Sequence, residues 1–253
     1  MNLRKNVRNL SDEELKDLRS AYERMMQIGD NRGYNHLAGL HGAPNFYCWH
    51  HQLPRLFLPW HRAYLYWFEQ AAQDQVESVM IPWWDWSSDV SRSEGIPEAF
   101  ANETINGSQP NPLYKAHINV PTTNPPLDLD TFRMPGRPSA LPNNDDINRV
   151  LSLSDFGDFN DELEDLHDRV HGWTGGTMGR VATAAFDPIF WSHHCMIDRI
   201  WWLWQLRHGN SGIPQDMLDM VLQPFNFTVR SVLNIYKLGY DYASTQVFEN
   251  IGR

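Results

Sequence analysis

The stretch Asp161-Glu-Leu-Glu-Asp-Leu-His-Asp-Arg-Val-His171 decides the fold class of this 253-residue chain. Its apolar residues recur at helical spacing, which predicts an amphipathic helix that stops near Gly172. His167 and His171 are four residues apart, so both imidazoles project from one face of the helix, close enough to hold one ion. Such a pair is also common on exposed helices that bind nothing. The pair alone therefore suggests a metal site without establishing one.

A second helix is predicted to start at Asp187-Pro188, because aspartate is a typical N-cap and proline is favoured in the first turn. This helix carries His194, with Phe190 one turn before it and Asp198 one turn after it. We expect Phe190 to line a metal pocket and Asp198 to act as a supporting anchor or ion-pair partner. With the pair on the first helix, His194 completes a set of three imidazoles.

The first half of the chain supplies a second set of three. His41 and one of the adjacent His50 and His51 come from a His-rich loop, and His61 stands at the head of a helix. The six histidines lie among bulky apolar neighbours, and a buried imidazole needs partners for both ring nitrogens. The isolated histidines are interpreted as ordinary surface or core residues: His36, His117 and His208.

The type of ligand discriminates between metals. Imidazole suits copper, zinc, iron and nickel, whereas calcium and magnesium prefer oxygen ligands. Two-metal hydrolases usually include carboxylate ligands, so an all-imidazole set of six favours a pair of copper ions that cycles between Cu(I) and Cu(II). A di-zinc hydrolase is the alternative.

Composition excludes several other classes of protein. The 21 Lys and Arg against 31 Asp and Glu give a net charge of −10, which disfavours binding to nucleic acid or an anionic membrane surface. We find no apolar run of the roughly 20 residues that a membrane helix needs and no apolar signal stretch at the start. We therefore expect a cytoplasmic protein, unless a partner exports it. Two cysteines, Cys48 and Cys195, provide no disulfide framework.

The predicted architecture is a single domain over residues 1–253, mainly α-helical. We expect a four-helix bundle core that turns the six histidines inward and holds a dinuclear copper site. The Pro-rich segment 87–147 predicts long irregular loops with few short strands. Ser11 is predicted to cap an opening helix, and Trp83-Trp84-Asp85-Trp86 is interpreted as core packing.

Two longer motifs resemble one known family. His51-Gln-Leu-Pro-Arg-Leu-Phe-Leu-Pro-Trp-His61-Arg-Ala-Tyr-Leu-Tyr-Trp-Phe-Glu69 is similar to the first copper signature of the tyrosinase, or polyphenol oxidase, family of type-3 copper proteins. Asp187-Pro-Ile-Phe-Trp-Ser-His-His-Cys-Met-Ile-Asp198 is similar to the second. The family includes catechol oxidases and molluscan hemocyanins, and the similarity spans nearly the whole chain.

The resemblance implies a ligand set and an activity. The implied ligands of copper A are His41, one of His50 and His51, and His61; those of copper B are His167, His171 and His194. Phe57 would lie beside copper A and Phe190 beside copper B. The implied enzyme hydroxylates small monophenols in the ortho position and oxidises o-diphenols to o-quinones, with dioxygen as co-substrate. A catechol oxidase or o-aminophenol oxidase without monophenolase activity is the alternative, and a hemocyanin-type oxygen carrier comes after it.

The second ligand of copper A stays open between two residues. Cys48-Trp49-His50 fits the family's Cys-x-His pattern, which carries a thioether bond in some members, whereas His51 better fits the spacing to His61. We favour His50, because loop lengths vary more easily than a Cys-x-His geometry.

Asp168 stands where many monophenol-hydroxylating members have asparagine. It is predicted to act either as a stronger base towards the incoming phenol or as a residue that affects copper B. Its possible acidic partners are Asp158, Glu162 and Glu164.

The end of the chain resembles the end of a catalytic domain. Tyr240 and Tyr242 match the family's Tyr-x-Tyr pair, which packs against an arginine near the start, here predicted to be Arg4. The sequence ends at Arg253, eleven residues after Tyr242. We therefore expect a short form without the C-terminal plug domain of many relatives, and a possible copper-delivery partner. The oligomeric state is left open.

Overall fold

The computed structural model describes residues 2–243, in which α-helices form the core. The helices are α1 (Asp12–Gln27), α2 (Tyr34–His41), α3 (Phe57–Gln73), α4 (Asp89–Glu94), α5 (Glu98–Ala101), α6 (Asn144–Ser152), α7 (Phe156–Thr174), α8 (Ile189–His208) and α9 (Val229–Val232). The predicted mainly α-helical class is confirmed.

The strands are short and pair two by two. They are β1 (Asn2–Arg4), β2 (Thr104–Ile105), β3 (Gln109–Pro110), β4 (His117–Val120), β5 (Leu127–Asp130), β6 (Val221–Leu222), β7 (Phe227–Thr228) and β8 (Tyr240–Tyr242). β2–β3, β4–β5 and β6–β7 are antiparallel, whereas β1 and β8 are parallel. Segment 87–147 is less irregular than predicted, because it contains α4, α5, four of these strands and the start of α6.

Helix α1 begins with the predicted cap. Ser11 Oγ accepts a hydrogen bond from the Glu14 backbone N–H, and the Glu14 carboxylate accepts one from the Ser11 N–H. This reciprocal pair satisfies two N–H groups that the first turn leaves without helical partners. The buried face of α1 then packs on α3, where the rings of Tyr22 and Phe68 meet edge to face at 5.5 Å.

Aromatic packing holds the long helices together. Phe68 of α3 stacks on Trp191 of α8 with ring centroids 3.4 Å apart, and Phe159 of α7 stacks on Trp204 of α8 at 4.8 Å. All four side chains are fully buried. Burying one side chain the size of phenylalanine stabilises a fold by about 1.5–3 kcal/mol. These contacts join both α3 and α7 to α8.

Helix α2 corrects one prediction: His41 is the last residue of a helix and not part of a loop. The buried residues Leu37, Ala38 and His41 have helical spacing, a pattern hidden in the sequence by the flanking glycines. The helix ends at Gly42, where a Cβ would lie 2.3 Å from the Val181 carbonyl oxygen. Only glycine allows this close approach, which brings the end of α2 against segment 181–182.

The two ends of the described chain meet through Arg4. β1 pairs with β8 in the register Arg4 to Tyr242. The Arg4 guanidinium lies 3.6 Å from the ring centroid of Tyr240 and donates a hydrogen bond to Tyr242 Oη at 3.1 Å. The predicted contact between Arg4 and the tyrosine pair is confirmed.

A buried charge cluster, formed by Arg4, Arg62, Glu69 and Asp198, joins these ends to α3 and α8. Arg4 pairs with Glu69 at 2.9 Å and with Asp198 at 3.2 Å, and Arg62 donates to the other oxygen of Asp198. Asp198 is thus an ion-pair partner, one of the two roles predicted for it. None of the helices within residues 2–243 is both long enough and apolar enough to cross a membrane.

Candidate metal centre

Five imidazoles from four helices converge at the centre of the fold. This imidazole cluster consists of His41 from α2, His61 from α3, His167 and His171 from α7, and His194 from α8. His171 is partly buried, and the other four are buried. All five are among the ligands predicted from sequence, and helices distant in the chain bring residues of the two predicted sets of three together.

Three of these rings face one point. The Nε2 atoms of His167 and His194 are 3.2 Å apart, and those of His171 and His194 are 3.4 Å apart. Nitrogen atoms placed about 2.0–2.1 Å from an ion at tetrahedral angles are about 3.3 Å from one another. The separations therefore fit one metal ion bound by the predicted copper B set.

The predicted copper A side contains His41 and His61. These two residues and His194 each offer a ring nitrogen within 4.8 Å of the others. The rings of His61 and His194 stack with their centroids 4.4 Å apart. The two predicted ion positions are thus adjacent, with His194 in contact with both sides.

Backbone carbonyls orient several of the rings. Through Nδ1–H, His61 can donate to the Phe57 carbonyl at 2.8 Å and His171 to the Met178 carbonyl at 2.7 Å. This tautomer leaves the Nε2 lone pair directed into the cluster. His61 Nε2 is buried without a hydrogen-bond partner in the described chain, and a metal ion would satisfy it.

The cluster is held in the uncharged form that binds metals. Burial, and then the neighbouring imidazoles, lowers the pKa of His41 to about 3 and the pKa of His61 well below its ordinary value. The same two causes lower the pKa of His171 and His194. A buried set of neutral imidazoles with convergent lone pairs fits transition metals such as copper or zinc, and not calcium or magnesium.

Asp168 binds three imidazoles at the edge of the cluster. Its Oδ1 lies 2.7 Å from His50 Nε2 and 2.9 Å from His167 Nδ1, and its Oδ2 lies 2.8 Å from His51 Nε2. His50 and His51 therefore contact a carboxylate, and they do not converge with the other five. Burial alone raises the pKa of Asp168, but the hydrogen bonds from His167 and His50 outweigh it and hold this pKa well below its ordinary value.

The three possible acidic partners of Asp168 lie in different surroundings. Glu164 is buried and accepts a hydrogen bond from the His51 backbone N–H at 2.6 Å. Glu162 forms a surface ion pair with Arg149, and Asp158 is exposed in the first turn of α7. Among the three, Glu164 alone touches the loop that Asp168 binds.

The remaining predicted residues pack around the cluster. Phe57 lies with its ring centroid 4.6 Å from that of His61, and Phe190 lies 4.1 Å from His194. Cys48 is a half-buried free thiol, and burial raises its pKa to about 11. Phe57 also lies 4.8 Å from His167 and Phe190 4.9 Å from His41, so each phenylalanine contacts histidines of both predicted copper sets.

Sequence reasoning missed His193. Its ring is fully buried, stacks on His167 at 5.1 Å and lies 4.8 Å from His171, and neither ring nitrogen has a hydrogen-bond partner among residues 2–243. The available signal was its place beside His194. Neighbouring residues on a helix point in different directions, so only one of the pair was assigned to the site. His193 nevertheless offers a ring nitrogen within 4.8 Å of those of His167, His171 and His194.

A cavity of about 240 Å³ gives access to the cluster. It is lined by His41, His50, His167, Asp168, His171, Gly172, Met178, Gly179, Arg180, Val181 and Ala184. Pockets that bury drug-sized ligands measure about 300–1,000 Å³, so this cavity suits a smaller molecule such as one aromatic ring.

Comparison with known proteins identifies the family of this chain. The family profile described as the common central domain of tyrosinase matches residues 31–207. A tyrosinase from Streptomyces antibioticus is 30% identical over 270 residues, which cover 92% of this chain and 96% of that protein.

Hemocyanins are similar to the same degree. A hemocyanin from Enteroctopus dofleini is 31% identical over 266 residues, covering 92% of this chain. This chain spans about a fifth of that relative's length, 21%. A solved functional unit of octopus hemocyanin superposes with a TM-score of 0.81 at 28% identity, covering 96% of this chain and 68% of that unit.

Proposed function

This chain belongs to the tyrosinase family of type-3 copper proteins, and on that premise we propose that it is a copper-dependent tyrosinase. It would hydroxylate monophenols in the ortho position and oxidise o-diphenols to o-quinones with dioxygen. The observation that carries the proposal is the cavity of about 240 Å³ that gives access to the imidazole cluster. A cavity of this size admits a single phenolic ring, which an oxygen carrier would have no need to bind.

Six side chains would hold the two copper ions. His41 and His61 would bind one ion together with His50, whose Nε2 contacts Asp168 in this structure and would exchange that contact for the ion, and the other three cluster histidines would bind the second. His50 is favoured over His51 because it lines the cavity and has 28% of its side chain exposed, against 45% for His51. When bound, the copper pair supplies the one-electron redox chemistry that reaction with dioxygen requires.

The protein itself would orient the substrate and exclude water. The phenol would enter with its hydroxyl towards the imidazoles, and its ring would contact the apolar wall formed by Met178, Val181 and Ala184. Phe57 and Phe190 would keep water from the inner side of the cluster. His167 would keep its tautomer through the hydrogen bond of Nδ1–H to Asp168.

A second function, oxidation of o-diphenols or o-aminophenols without monophenol hydroxylation, is favoured by the contacts of Asp168. Both carboxylate oxygens already bind imidazoles, and their hydrogen bonds hold the Asp168 pKa well below its ordinary value. A carboxylate in this state is a weak base, poorly suited to take a proton from a phenol. Oxidising an o-diphenol inserts no oxygen into the ring, so this second reaction depends less on Asp168 as a base.

Three substrates distinguish the functions. Copper-loaded protein is mixed with tyramine, 4-methylcatechol or 2-aminophenol, and quinone or quinone-imine formation is followed by absorbance. A tyrosinase oxidises tyramine, typically after a lag, as well as 4-methylcatechol. The second function predicts turnover of 4-methylcatechol or 2-aminophenol without tyramine.

Two other results would contradict both functions. Reversible oxygenation without any quinone would indicate a hemocyanin-type carrier. Metal analysis that finds zinc and no copper in protein produced with both metals would indicate a di-zinc hydrolase.

A further inference from the structure

The segment that follows the Gly175-Gly176 turn is tied to both sides of the imidazole cluster. The Met178 carbonyl accepts from His171 Nδ1 at 2.7 Å, and the Val181 carbonyl contacts His41 Nδ1 at 3.3 Å. Arg180 lies between these two carbonyls, and its own carbonyl accepts hydrogen bonds from the backbone N–H groups of residues 183 and 184. The backbone of Arg180 is thereby fixed relative to the site.

The cavity wall carries the side chain of Arg180. Of the residues that line the cavity, only Arg180 is a lysine or arginine. It is exposed, and within residues 2–243 its guanidinium takes part in no ion pair and no side-chain hydrogen bond. Asp168, on the same cavity, forms no ion pair with Arg180 within residues 2–243, and its oxygens contact His50, His51 and His167.

We propose that Arg180 selects substrates that carry a carboxylate on the ring, or on a short side chain, para to the reacting hydroxyl. This inference rests on the proposed function, because the reacting hydroxyl must face the imidazoles. A group on the opposite side of the ring then faces the rim of the cavity, where Arg180 is exposed. A guanidinium binds a carboxylate through two parallel N–H···O bonds, and this binding is strongest where one side is sheltered from water.

The test compares three catechols that differ in charge. We choose 3,4-dihydroxyphenylpropionate, neutral 4-methylcatechol and dopamine, with wild-type holoenzyme and the variants Arg180→Gln and Arg180→Glu. Removing one charge-assisted contact at a partly exposed site should raise KM for the propionate by about tenfold and leave KM for 4-methylcatechol unchanged. Arg180→Glu should raise the propionate KM further and lower that for dopamine. Arg230→Gln, an exposed arginine on α9 paired with Asp219, is the matched control.

A binding measurement separates this inference from the proposed function. 4-Methoxyphenylacetate carries the carboxylate but has no hydroxyl to oxidise, and its Kd for copper-loaded protein is measured by calorimetry. The Kd should weaken by about tenfold in Arg180→Gln and at raised salt, even if no catechol is turned over. An equal Kd in wild type and Arg180→Gln, or equal KM changes for all three catechols, would overturn the role of Arg180. Absence of catechol turnover with an Arg180-dependent Kd would instead count against the phenol oxidase.

Discussion

Two buried polar clusters lie side by side on α3 and α8, and they differ in how their polar atoms are satisfied. His61 belongs to the imidazole cluster, and the next residue, Arg62, belongs to the charge cluster. On α8, His194 and Asp198 are one turn apart and divide in the same way. In the charge cluster each carboxylate meets a guanidinium, whereas in the imidazole cluster ring nitrogens face one another.

This difference distinguishes buried polar residues that stabilise the fold from those that bind a ligand. Burying a charge is costly unless it is paired, and the charge cluster meets that condition within the chain itself. The imidazole cluster is not satisfied in this way, because His61 Nε2 and His194 Nδ1 are buried without a hydrogen-bond partner among the described residues. Buried ring nitrogens that face one another without partners therefore indicate a ligand site. Buried ion pairs that balance within the chain indicate a structural contact between elements of the fold.

The largest expected effect is on the imidazole cluster. His61→Ala or His194→Ala should abolish phenol oxidation and lower the copper content to about one ion per chain, because one ion loses one of its three ligands. Copper is measured by elemental analysis and the fold by circular dichroism, which should stay helical.

Two other histidines serve as controls for that experiment. His36→Ala, an exposed residue on α2, and His51→Ala should both keep two copper ions per chain. Retention of two ions in His61→Ala or His194→Ala would refute the ligand assignment, and loss of an ion in His51→Ala would assign His51 in place of His50.

The next largest effect is a loss of stability when the charge cluster is broken. Asp198→Ala leaves Arg4 and Arg62 buried without their shared carboxylate, which should lower the free energy of unfolding by about 3–5 kcal/mol. Urea unfolding of copper-loaded protein measures it. Asp161→Ala, which breaks the surface pair with Arg55, should cost about 0–1 kcal/mol.

The stability difference should also depend on pH. Burial alone raises the pKa of Asp198, but Arg62 and Arg4 outweigh it, so the folded pKa lies below the ordinary value of 3.8. The stabilising contribution is therefore complete above that value and is lost as the pH falls through the folded pKa. If wild type and Asp198→Ala were equally stable at pH 7, the charge cluster would not stabilise the fold.

The smallest expected effect is a partial loss of activity when Asp168 is replaced. Asp168 links the imidazole cluster to the loop of His50 and His51. Asp168→Asn keeps the side-chain shape and removes the charge, and loss of such a supporting contact typically costs about tenfold or more in activity. If Asp168 only supports His167, the rates with tyramine and 4-methylcatechol should fall by the same factor. A selective loss of tyramine hydroxylation would show instead that Asp168 acts as the base.

Much of this arrangement was predictable from short-range patterns. The Ser11 cap and the pairing of His167 with His171 depend on residues within one or two helical turns, where geometry follows from spacing alone. The contact of Arg4 with Tyr242 was predicted only through the family resemblance. Helix α2 was missed because eight residues flanked by glycines give a weak helical signal.

Other features had no sequence signal of their own. The three imidazoles on Asp168 come from positions 117 and 118 residues away and from the adjacent residue, and the sequence offered Asp168 two opposed roles without a way to choose. Arg180 belongs to no motif in the sequence, and only the fold places it on the wall of the cavity.

By itself, the sequence determined the long helices, the residue types on their faces and the copper family to which the chain belongs. These follow from periodicity and from motifs within single segments. Tertiary structure alone decided which nitrogen atoms meet, because distances between helices depend on side-chain packing such as that of Phe68 on Trp191. It also decided that the carboxylate of Asp168 is bound by imidazoles while the guanidinium of Arg180 remains available to a ligand.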